Sequence, residues 1–76
     1  MELMSGAAAA AQGRHAVGAL LAHTPQSFVY DAKLATSELI TNALVHGYGT
    51  VELFACFDPE RGRLRVEVSD SSSEVP

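Results

Sequence analysis

The chain lacks what several common kinds of protein need. Its single cysteine, Cys56, excludes an intrachain disulfide and suits a reducing, cytoplasmic setting. Only 5 lysines and arginines stand against 9 aspartates and glutamates, for a net charge of −4. No basic run and no basic patch interleaved with aromatics occurs, which argues against binding nucleic acid. Small anions stay within reach, because helix N-termini and metal ions hold phosphates even in acidic proteins. No stretch approaches the roughly 20 apolar residues of a membrane span, so no membrane partner is expected. The short apolar run from Ala16 to Ala22 has only Arg14 as a basic neighbour, too little for the n-region of a secretory signal. His15 and His23 have no metal-ligand spacing and read as surface residues of a first helix. There is no internal repeat and no linker.

What is present fits one small domain of 76 residues, 47% of them apolar. That content is ordinary for a globular chain and too high for a disordered one. Domains this small bury only about 60% of their unfolded surface, so each packed residue counts. Ala7 to Ala22 is rich in alanine and leucine and predicts a first helix, weakened by Gly13 and Gly18. Thr24-Pro25-Gln26-Ser27 breaks it. A second helix is expected from Phe28 to His46, with Ser27 as N-cap and Gly47 as its stop. Phe28, Ala32, Ala35, Leu39 and Ala43 recur at helical spacing as its apolar face.

After Gly49 the period changes to two. Val51, Leu53, Ala55 and Phe57 share one side of a strand, with Glu52, Phe54 and Cys56 on the other. Cys56 reads as a small strand residue with no neighbour to make it reactive. Asp58-Pro59-Glu60-Arg61-Gly62 is a turn. Leu64, Val66 and Val68 then face inward on a second strand, and the same parity carries Asp70 inward at its end. Ser71 to Pro76 is loop-like. The fold class is α+β, two helices followed by an antiparallel hairpin.

Glu38, Asn42 and His46, four residues apart, form a polar stripe on the second helix. With Glu38 at zero, Asn42 and His46 lie near about 40° and 80°, and the expected apolar face near about 100°. On that reading the stripe borders the core, where a pocket wall would lie. Spacing alone favours a solvated helix face over a site, and Asp70 alone reads more readily as an ordinary strand-end or turn carboxylate.

Ser37-Glu38-Leu39-Ile40-Thr41-Asn42-Ala43-Leu44-Val45-His46-Gly47-Tyr48 resembles the N-box helix of the GHKL superfamily, the histidine kinase-like ATPases. In particular it looks like the bacterial anti-sigma-factor serine/threonine kinases. Val66-Glu67-Val68-Ser69-Asp70 resembles the strand that delivers the family's adenine-reading aspartate. The resemblance implies a partial two-layer α/β sandwich, the first half of a GHKL ATPase fold, with ATP and Mg²⁺ as ligands. It makes Glu38 the general base, acting on the hydroxyl of a partner serine or on a water. It makes Asn42 a Mg²⁺ ligand through its amide oxygen and Asp70 the acceptor for the adenine amino group. Ala43, by its small size, lets the nucleotide approach, and His46 helps to line the phosphate end.

Two departures qualify what the resemblance implies. Ser72 and Glu74 occupy positions where the family carries glycines after its aspartate. The ATP lid and second glycine-rich box have no counterpart in residues 1–76, so a truncated domain with little turnover of its own is expected. A function of another class is a non-enzymatic regulatory module that dimerises or binds a sigma factor or anti-anti-sigma protein through an uncovered sheet edge. A gene fragment without independent function is the third reading.

Overall fold

The computed structural model describes residues 1–46 and 49–70. Expectations for Gly47, Tyr48, Ser72, Glu74 and the 71–76 tail fall outside the described residues. Two helices, α1 (Ala7–Leu20) and α2 (Gln26–His46), precede two strands, β1 (Val51–Asp58) and β2 (Arg63–Asp70). The strands form an antiparallel hairpin, paired one to one from Val51↔Asp70 to Asp58↔Arg63. The helices pack on each other and on one face of the hairpin, α1 meeting β1 and α2 meeting chiefly β2. This is the α+β, partial two-layer α/β sandwich that the sequence implies.

Both helix boundaries in the helix–helix connection differ from expectation, for reasons of hydrogen bonding. α1 closes at Leu20 because the Leu21 amide turns back to the Val17 and Gly18 carbonyls, each at 3.2 Å. The hydroxyl and amide of Thr24 then donate to the Leu21 carbonyl at 2.8 and 3.1 Å, satisfying a group that a helix end would otherwise leave open. α2 begins at Gln26, and the Pro25 carbonyl accepts from the Val29 amide at 3.1 Å. Proline suits that position, since a helix start needs no amide donor there. Ser27 therefore lies in the first turn rather than capping it.

The larger correction concerns which face of α2 is buried. Thr36 and Ile40 are its buried residues, whereas Ala35 is exposed and Leu39 is 43% exposed. Phe28, Ala32 and Ala43 are half-buried, as the pattern of apolar residues leads one to expect. The cause lies on α1. Gly13 is buried against α2, and a Cβ there would overlap the Cδ1 atom of Ile40 and touch Thr36 at 3.5 Å. The absent side chain lets the helices approach along Thr36 and Ile40. Thr36 enters the core without penalty because its hydroxyl donates to the Ala32 carbonyl at 2.8 Å. With Glu38 at zero, these residues sit at about 160° and 200°, so Glu38 opposes the core instead of bordering it.

The hairpin follows its alternation. Val51 and Leu53 are buried, and Ala55, Phe57, Leu64, Val66, Val68 and Asp70 are half-buried. Glu52, Phe54, Cys56, Arg63, Arg65 and Glu67 are exposed on the other face. Asp58 organises the turn, accepting from the Glu60 and Arg61 amides at 3.1 and 3.4 Å and pairing with the Arg61 guanidinium at 3.1 Å. Phe28 and Phe57, with ring centroids 6.2 Å apart, tie the start of α2 to the end of β1.

One structural element is not evident in the sequence pattern. Residues 1–3 run antiparallel along the outer edge of β1, with Glu2 bridged to Glu52. The Leu3 amide donates to the Val51 carbonyl and the Leu53 amide to the Met1 carbonyl, both at 2.8 Å. Leu3 is 7% exposed and joins Ala9, Ile40, Val51 and Leu53 in the core. Three residues are too few to display an alternation, so the sequence pattern does not reveal them.

Gly13 and Gly18 are expected to respond oppositely to alanine. Gly13→Ala should lower the urea midpoint, since overpacking costs about 1–3 kcal/mol and helix propensity returns at most about 1. At Gly18 the new methyl meets only the far end of the Lys33 side chain, 2.8 Å from its Cε, so Gly18→Ala should hold or raise the midpoint. Leu3→Ala should cost about 2 kcal/mol or more in the same denaturation, as expected of a core leucine rather than a frayed terminus.

Candidate functional site

The residues that could hold a ligand are set by the pitch of α2 and by the parity of β2. Glu38 and Asn42 lie one turn apart and, with Ser37 and Thr41, line a shallow open depression of about 270 Å³. Both side chains are exposed. At the rim, Arg14 on α1 donates from Nη1 to the Ser37 hydroxyl at 3.0 Å, placing a cation beside an otherwise neutral or acidic patch. Nothing in the sequence connects residues this far apart, and only the helix crossing at Gly13 brings Arg14 there.

His46, the last residue of α2, is exposed. Along Glu38, Asn42 and His46 the stripe turns by about 40° per step. Measured from the buried side, the angular separation shrinks from about 180° to 140° to 100°. The stripe therefore starts on the outer surface and winds toward the sheet as it nears the end of α2. Lys33, Thr36, Ser37 and Ile40 are the positions that meet α1, so the winding follows the flank facing away from α1. That flank is on the β2 side of the domain. Ala43 is half-buried and packs against the core cluster.

Asp70 is half-buried at the end of β2, opposite Val51, and does not line the Glu38–Asn42 depression. Topology nevertheless puts it at the same end of the domain. Val51 follows His46 by five residues, a span of at most about 18 Å. Leu44 and Val51 also line a common cleft. The C-terminal part of α2, the start of β1 and the carboxylate of Asp70 thus share one end.

A larger groove of about 460 Å³, lined by His15, Leu21, Tyr30 and Lys33 among others, lies where α1 ends and α2 starts. It contains none of Glu38, Asn42, Ala43, His46 or Asp70, and size alone gives it no chemistry.

The donor set fits a magnesium nucleotide better than a bare metal. Among the described residues no group of three histidine, cysteine or acidic side chains could cage an ion. Asn42 and Glu38 offer adjacent oxygen donors, and Mg²⁺ characteristically takes one or two protein oxygens together with substrate phosphates and waters. No described helix is long and apolar enough to cross a membrane.

Comparison with curated proteins and with solved structures gives no match. Comparison with protein families matches residues 4–76 to the histidine kinase-like ATPase domain. The match spans α1, α2 and both strands, the same elements that carry the polar stripe and Asp70. The chain belongs to the histidine kinase-like ATPase family of ATP-binding domains.

Proposed function

We propose that this domain binds ATP with Mg²⁺, the phosphates lying along the C-terminal half of α2 and the adenine toward Asp70. The observation that carries the reading is the Glu38–Asn42 pair in one surface depression, on a stripe that winds toward the Asp70 end of the domain. Asn42 holds the metal through its amide oxygen, the metal neutralising phosphate charge when bound. Asp70, acceptor-only when ionised, takes the hydrogen bond of the adenine amino group. His46 lines the phosphate end, and Ala43 contributes by its small size.

We further infer a phosphoryl transfer of the anti-sigma-factor serine kinase type, from ATP to a serine of an anti-anti-sigma partner. Glu38 accepts the proton of the attacking serine hydroxyl as its oxygen bonds to the γ-phosphorus and the bond to the β-phosphate oxygen breaks. Proton removal of this kind contributes about 10²–10⁴-fold. The exposure of Glu38 supports the reading, since a protein hydroxyl must reach it. The N-box sequence from Ser37 to Tyr48 supports the kinase subtype.

Isothermal titration of the chain with ATP and Mg²⁺ should show binding. No heat and no chemical-shift change at millimolar nucleotide would overturn the reading. Asn42→Ala should weaken binding at least tenfold in Mg²⁺ and much less in EDTA. Asp70→Asn should erase the preference for ATP over GTP, because the asparagine amide can also donate. Glu38→Gln should retain nucleotide while lowering phosphoryl transfer to a serine-bearing partner by about 10² or more. Glu38 and Asn42 are exposed, so both variants should keep wild-type stability within about 0.5 kcal/mol, measured by urea denaturation.

A further inference from the structure

The groove of about 460 Å³ between the end of α1 and the start of α2 lies apart from the candidate site, and its lining is electrostatically one-sided. The whole chain carries 9 acidic side chains against 5 lysines and arginines. Among the described residues no acidic side chain lines this groove, while Lys33 and His15 both do. Lys33 is half-buried, and its stem crosses from α2 to α1, ending over Gly18. A Cβ at Gly18 would stand 2.8 Å from Cε and 3.2 Å from Nζ, so the missing side chain makes room for the lysine. Among the described residues the Lys33 ammonium meets no carboxylate, and the ion pairs Arg61–Asp58 and Arg65–Glu67 both lie on the hairpin. A cation held partly out of water gains from an anion that joins it.

The backbone adds charge of the same sign. The first turn of α2 contains no acidic side chain, so the positive end of the helix dipole is uncompensated where the groove reaches Gln26. The Thr24 hydroxyl spends its proton on the Leu21 carbonyl, which leaves Lys33, His15 and Gln26 as the side-chain donors best placed for an anion. The remaining surface is largely apolar. Leu21 is fully buried beneath it, Val29 is half-buried, and the ring of Tyr30 stands exposed at the side.

We propose that this groove is a second ligand site, for a small organic anion that sets a carboxylate or phosphate group against Lys33. Its apolar, planar body covers Leu21, Val29 and Tyr30. The volume lies within the range of small-molecule sites, and the lining has their usual make-up of apolar walls with a few convergent polar groups. Both helices contribute to the lining, so an occupant ties the end of α1 to the start of α2 and supports the crossing at Gly13. One ammonium in an open groove makes the site a low-affinity one. The groove shares no residue with the Glu38–Asn42 depression, and the proposal is independent of the nucleotide reading.

An NMR titration of the nucleotide-free chain tests the site, with benzoate and phenyl phosphate as anionic probes and benzamide as the neutral control. At constant ionic strength, one or both anions should shift the Gly18, Leu21 and Val29 amides saturably, with a Kd of about 1 mM. The tighter of the two identifies the head group. Benzamide should bind several-fold more weakly. Lys33→Gln, checked for folding by circular dichroism, should weaken the anion about tenfold, and Lys33→Arg should restore most of the affinity. Asn42→Ala should leave it unchanged. Saturating anion should also raise the urea midpoint of the wild type more than that of Lys33→Gln. The absence of any saturable shift at about 10 mM of either anion would overturn the proposal. So would equal binding of benzamide, an affinity unmoved by Lys33→Gln, or binding lost in Asn42→Ala, which would assign the anion to the nucleotide site.

Discussion

The contact on which the rest of this small domain depends is the one between Gly13 and Ile40. It is made possible by a missing side chain. Because α1 has no Cβ at that point, α2 can roll until Thr36 and Ile40 face inward. That rotation determines which residues of α2 are left outside, and Glu38 and Asn42 are among them. It also brings Arg14 to Ser37, at the rim of the candidate site. A glycine that looks like a weak point in a helix is thus the residue that orients the face carrying the candidate site.

The sequence makes legible what depends on short-range periodicity. Alternation in 51–57 and 64–70 assigns both faces of the hairpin, including the inward parity of Asp70, and the Asp58–Gly62 turn joins them. The N-box likeness leads to the family that the comparison over residues 4–76 establishes. The face of α2 is not legible in the same way. Ala35 and Leu39 are apolar letters at helical spacing, and Thr36 is a polar one. Burial follows the neighbour, however, and the neighbour is Gly13, more than twenty residues earlier in the chain. Threonine further disguises itself, since it can satisfy its hydroxyl within its own helix. The boundaries at Leu20 and Gln26 shift for similarly local reasons, the bonds of Thr24 and the carbonyl of Pro25.

At the candidate site, the helix supplies chemistry and the sheet supplies place. Glu38 and Asn42 are kept together by helical pitch alone, so their spacing is robust to changes elsewhere. Asp70 reaches the same end of the domain only through the hairpin register. The two halves therefore rest on different kinds of order, one local and one tertiary. A ligand spanning them would report on the whole fold, whereas a ligand held by α2 alone would not.

The strand-like pairing of residues 1–3 with residues 51–53 closes a loop of about fifty residues around nearly the whole described domain. Such a contact is non-local, and the entropy lost in closing its loop grows only slowly with loop length. During synthesis Leu3 must wait for Val51 and Leu53 to be made, with both helices already formed or forming between them. Residues 1–3 therefore tie the two helices and the start of β1 into one closed loop, so that loosening either end of it loosens both.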